Sequence, residues 1–232
     1  MAQAYRPVDQ YKLRIDRFDF NVRLKSLFFP LEFKEIVELL EAREFTVLKE
    51  VHERIPQVPV GAKLVIGGII AEKQNILFRI NQELGIIGMQ GTDIEEVITE
   101  YEQFEAVAKN TLNVDLMEES RFYEIISELV IIAKKDPIVV ISKLFDGHDT
   151  LKQLSAILEI DVTNFGIRLV PTNRAPTDEE WLEYKIEPLI AKPHASYQSS
   201  VIFRSIDKEK VKVTASNLLR RIEIILDTVE NK

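Results

Sequence analysis

The residues of this chain whose types could do chemistry are few and weakly grouped. Asp146-Gly147-His148-Asp149 sets an imidazole among carboxylates, a combination that could hold a cation or supply a general base. The same residues also read structurally, as an Asp-Gly helix end followed by Asp149-Thr150 capping the next helix. His52, His148 and His194 lack metal-ligand spacing, and His52-Glu53 has no second histidine one turn later. The adjacent carboxylates Glu95-Glu96, Glu118-Glu119 and Glu179-Glu180 read as solvated charge. There is no glycine-rich phosphate loop and no Gly-x-Ser-x-Gly elbow; Gly67-Gly68 lies in an apolar run, and Gly85, Gly88 and Gly91 depart from the dinucleotide fingerprint. The chain has no cysteine, which removes disulfides, thiolate zinc sites, iron–sulfur clusters and cysteine nucleophiles. No catalytic residue, cofactor or metal is expected, and an enzyme is the less favoured reading.

Two kinds of residue remain as surface candidates. Arg14, Arg23, Arg79, Arg168 and Arg204 could each grip an anion. The single tryptophan, Trp181, follows the loop 171–178 and either packs in the core or anchors an interface. Near the N-terminus Arg6, Lys12, Arg14, Arg17, Arg23 and Lys25 outnumber Asp9, Asp16 and Asp19, and read as solvated strand positions or as an anion-binding face. The net charge of −8 argues against dominant binding to phosphate backbones, although a local basic face is compatible with it.

At 46% hydrophobic and 29% charged, the 232 residues have the profile of a soluble globular protein. No apolar run approaches the ~20 residues that span a bilayer, and Met1 to Asp9 lacks the layout of a signal peptide. The expected setting is the cytoplasm, with no membrane as a partner.

The elements that must position these residues repeat. From Leu13 to Leu24 apolar and polar residues alternate, with Asp16-Arg17 breaking the phase, which predicts a half-buried strand with a bulge. Phe122 to Ile132 is more uniformly apolar and reads as a central strand buried on both faces, with a helix as the competing reading. Pro30 and Asp136-Pro137 then open helices, half a chain apart. Strands are predicted at 45–51, 63–71, 76–80 and 84–89, and again at 164–170, 181–190 and 196–205. Thr92-Asp93-Ile94-Glu95 reads as a capping box opening one long amphipathic helix, and Asp207 opens another whose stripe runs from Val211 to Val229. The fragments Ile76-Leu77-Phe78-Arg79-Ile80 and Val201-Ile202-Phe203-Arg204-Ser205 are alike.

The predicted fold class is α+β: two β-α-β-β-β(-β)-α units, 1–116 and 117–232, forming one continuous structural domain. This element order resembles the TATA-box-binding-protein-like fold. The resemblance implies a pseudo-symmetric, curved antiparallel sheet covered by helices on one side, and it covers nearly the whole chain. None of that family's DNA-reading motifs is present, so no functional residue carries over. Three functions follow. A non-enzymatic interaction or assembly protein, self-associating or binding a protein partner through a sheet edge or open face, leads. Nucleic-acid binding by the concave sheet face, with Phe78-Arg79 and Phe203-Arg204 in parallel positions, is not favoured. The third is a small-ligand site or enzyme pocket between sheet and helices.

Overall fold

The computed structural model describes residues 6–8, 11–25, 33–54, 67–146 and 148–231. The predicted strand around Asp16 is β2 (Tyr11–Leu24), preceded by the short β1 (Arg6–Val8). It pairs antiparallel with β7 (Ser120–Ile132) along nearly its whole length, and the register shifts between Ile15 and Arg17, at the predicted bulge. Around this pair a single antiparallel sheet extends through β3 (Thr46–Val47), β4 (Gly67–Lys73), β5 (Ile76–Asn81) and β6 (Ile86–Gly91) on one side, and β8 (Ile167–Leu169), β9 (Trp181–Pro188) and β10 (Ser196–Ser205) on the other. The order is β3-β4-β5-β6-β2-β7-β10-β9-β8, with β1 joined to β2 off this path.

Strand pleating places alternate residues on opposite faces. On one face Leu13, Phe18, Phe20 and Val22 of β2, with Tyr123, Ile125, Leu129 and Ile131 of β7, share a core with Ile36 of α1 (Phe33–Ala42), Phe104 of α3 (Ile94–Leu112), Val211 of α7 (Lys208–Ser216) and Leu226 of α8 (Leu218–Glu230). On the other face Glu124, Ile126 and Glu128 stay partly exposed. The expectation that β7 is buried on both faces is therefore corrected: isoleucine at 126 follows from strand propensity, and only every second side chain lies under a helix.

The α3 helix is the best anchored. It buries Ile94, Val97, Ile98, Tyr101, Phe104 and Ala108, and each large side chain so covered contributes about 1.5–3 kcal/mol. Its cap is Asp93, not Thr92. The Glu95 and Glu96 amides donate to the Asp93 carboxylate at 3.0 and 3.3 Å, and Asn113 closes the far end at φ 56°. Asp136 caps α5 (Pro137–Leu144) in the same way, with Pro137 opening the helix. The helix start predicted at Pro30 lies outside the described residues.

Other elements depart from their predicted form. Only Thr46 and Val47 of the 45–51 run pair as a strand; α2 (Lys49–Arg54) follows and buries Val51. The long helix predicted after Asp207 is two helices meeting at Asn217, whose side-chain amide donates to the Val213 carbonyl at 2.9 Å and competes with helical continuation. The short α4 (Leu116–Glu119) leads into β7. After α5 comes α6 (Asp149–Leu158), with His148 in the cap position.

Candidate interaction surfaces

Residues directly opposite one another in an antiparallel ladder lie on the same face. Arg79 of β5 is paired with Gly88, Gly88 with Asn21, Asn21 with Glu124, Glu124 with Arg204 and Arg204 with Trp181. One row thus crosses six strands. A second row runs from Arg168 through Lys185, Ser200 and Glu128 to Arg17. Arg14 and Arg23 are an odd number of residues apart and would face opposite ways in a regular strand. The bulge at Asp16 restores them to one face, where they oppose Val130 and Phe122. All six candidates from the sequence therefore belong to the sheet face turned away from α3.

That face is largely neutralised from within. Arg79 donates to Asp19 at 3.1 Å and to Gln90 at 3.2 Å, and the buried Asp19 also receives Arg17. Arg204 holds Glu124 at 2.9 Å, lies over the Phe122 ring and donates to the Pro176 and Asp178 carbonyls at 2.9 and 3.0 Å. Arg168 grips Glu183 through two nitrogens, and Arg14 is 2.5 Å from Asp16. Arg23 differs. It makes no ion pair among the described residues, and partial burial together with the positive charges of Arg121 and Arg204 lowers its pKa.

Trp181, for which core packing and an interface anchor are the two readings, is only 5% exposed. The loop before it is drawn back to the sheet by Arg204, while Glu179 pairs with Arg121 and Glu180 with Lys210. Phe78 and Phe203 are buried on the helix-bearing face. Their parallel placement is corrected too: β5 is second from the central pair on its side of the sheet, whereas β10 is first. Among the described residues no group of three or more His, Asp or Glu could hold a metal, and no helix is long and apolar enough to cross a membrane. His194 sits 2.8 Å from Asp136, tying the β9–β10 turn to the start of α5 and holding the Asp136 carboxyl below its usual range. Between sheet and helices the Tyr101 and Tyr123 hydroxyls lie buried near Glu105, which pairs with Lys208; burial is the main cause raising both phenols, that of Tyr123 to about 12.

No protein-family model matches this chain, and no curated protein matches it.

A second surface emerges around α6. Its spacing of Leu151, Leu154 and Leu158 is amphipathic, yet none of its residues is buried. Ile157 is 74% exposed and Leu158 57%, and the following segment adds Ile160 at 65%, with Phe165, Leu169 and Val170 also exposed. α6 lies in the connection between α5 and β8, and the ends of these two elements form walls of an apolar groove of about 320 Å3 completed by α8. Leu144, Phe145, Ile167 and Leu169 face Ile224, Ile225 and Val229 across it. Thr228 also lines the groove, but its hydroxyl donates to the Ile224 carbonyl at 2.7 Å. β8 has β9 on one edge and no partner on the other among the described residues. The sequence carried one signal of this surface, the leucine spacing of α6; it held no sign that the stripe would stay uncovered.

Proposed function

We propose that this chain is a non-enzymatic interaction protein that binds another polypeptide through α6, β8 and the groove beside α8. The unburied α6 carries the reading. An isolated helix shorter than ~12–15 residues is marginal in water, and helices in proteins draw their stability from a packed apolar face. α6 has 10 residues and buries none. The apolar area exposed between Leu154 and Val170, with Ile224, is on the order of 800 Å2, the share one partner contributes to an interface of ordinary size. A groove whose lining side chains are apolar save the hydrogen-bonded Thr228 suits aliphatic side chains better than a metabolite that must be oriented.

The nucleic-acid reading would need unengaged cations and exposed phenylalanines on the sheet face. Arg14, Arg79, Arg168 and Arg204 are engaged, and Phe78 and Phe203 are buried. We also read the chain as two related units in one sheet, in the TATA-box-binding-protein-like manner. Outward from β2 the neighbours are β6, β5 and β4, and outward from β7 they are β10, β9 and β8, so each half adds its strands in the same order. A cytoplasmic setting agrees with the lack of cysteine.

The test is a photo-reactive amino acid at position 157 in cells that produce the chain. Covalent adducts with polypeptide, identified by mass spectrometry, are expected there and not at the exposed Glu95 of α3. Absence of polypeptide adducts at position 157 would overturn the proposal.

A further inference from the structure

We infer that the occupant of this surface is a second copy of the chain, with α6 of each copy seated in the groove of the other. The inference rests on the interaction reading above and names its partner. Each copy carries both halves of the contact, an unburied amphipathic helix and an apolar groove. A two-fold axis satisfies both at once and closes the assembly, because in an isologous interface each surface meets its complement twice.

Size supports the match. Removing one large aliphatic side chain from a core leaves on the order of 150 Å3. The groove of about 320 Å3 therefore has room for two such side chains, and Ile157 and Leu158 are the two most exposed in α6. The apolar area, on the order of 800 Å2 per copy, is what a stable dimer of ordinary size requires from each subunit. Charge agrees as well. Arg220 and Arg221 are exposed one helical turn before Ile224 and Ile225, at one end of the groove. Glu159 and Asp161 are exposed just beyond Leu158, at the end of α6. Laying α6 with its C-terminal end toward the start of α8 brings these carboxylates to those guanidinium groups while the apolar side chains fill the groove.

The reciprocal arrangement is tested by complementation of the full chain in sedimentation equilibrium. The wild type is expected to be a dimer at about 100 µM, with dissociation only on dilution, as mass action requires. Ile157→Asp with Leu158→Asp removes the helix contact but leaves the groove intact; Leu169→Asp with Ile224→Asp does the reverse. Each double variant alone is expected to be monomeric. Mixed in equal amounts they should associate, because one intact helix then meets one intact groove, with an affinity about tenfold or more below that of the wild type. Recovery in the mixture also demonstrates that both variants are folded. A monomeric wild type, a dimer that survives in either variant, or a mixture without recovery would each overturn the inference. The outcomes of the two tests separate: a monomeric wild type that still cross-links at position 157 to a different polypeptide leaves the interaction reading standing and removes self-association.

Discussion

α3 and α6 are built on the same plan and meet opposite fates. Both are amphipathic, and both end at a left-handed residue, Asn113 at φ 56° and Glu159 at φ 54°. α3 lies across β2 and β6 and buries six of its residues; α6 buries none. Their ends differ as well, since Asp93 caps α3 with its carboxylate whereas His148 makes no side-chain capping bond to α6. An apolar stripe therefore says that a helix needs a cover. It does not say whether the cover belongs to the same chain.

The contrast can be broken or sharpened by substitution. The largest effect is expected at Phe104→Ala in α3, where loss of a fully buried ring should reduce unfolding free energy by about 3–5 kcal/mol in urea denaturation. A cost near zero would mean that α3 is no better anchored than α6.

Next comes Glu100→Gln, also in α3. Glu100 receives Arg43 at 2.8 Å and Lys73 at 2.9 Å. Burial alone would raise its pKa, but these two cations outweigh it and hold the carboxyl below its ordinary 4.5. Its folded pKa being depressed, its contribution to stability is complete above 4.5 and is lost as pH falls through the lower folded value. The substitution should cost about 1–3 kcal/mol at pH 7, discounted for partial exposure. Measured against pH, the gap between wild type and variant should narrow under acid; a gap independent of pH would remove the ion network from the account.

Asp93→Ala should cost about 1 kcal/mol, because two amides lose their acceptor. Smallest of all, the Ile157→Asp and Leu158→Asp pair in α6 should move the unfolding free energy of the dilute chain by less than about 0.5 kcal/mol. A large loss there would show α6 to be part of the fold and not a docking element.

Much of the sheet was legible in the sequence. Two-residue alternation located β2 and its bulge, and β10 occupies the predicted span 196–205. The helix starts at Asp136 and Asp207 were readable from capping chemistry, which acts over a few residues. What was not legible depends on contacts distant in sequence. The likeness of the segments around Phe78 and Phe203 suggested equivalent strands, yet strand adjacency is decided by pairing and not by local composition. Arg79, Arg168 and Arg204 looked free because their acceptors, Asp19, Glu183 and Glu124, come from other strands. Exposure of the α6 stripe was hidden for the same reason: whether a layer covers it depends on where α5, β8 and α8 end.

The bulge at Asp16 holds the one residue by which the two arms of β2 fall out of phase. β7 sets Ile15 opposite Leu129 and Arg17 opposite Glu128, so Asp16 has no opposite number. Deleting Asp16 would join Ile15 to Arg17 and bring Tyr11, Leu13, Ile15, Phe18, Phe20 and Val22 into strict alternation on one face, with the pairing to β7 kept. Deleting a residue elsewhere in the strand, such as Asn21, would instead turn the core side chains beyond it outward. A single-codon deletion is therefore expected to be best tolerated at position 16, whose own side chain is exposed.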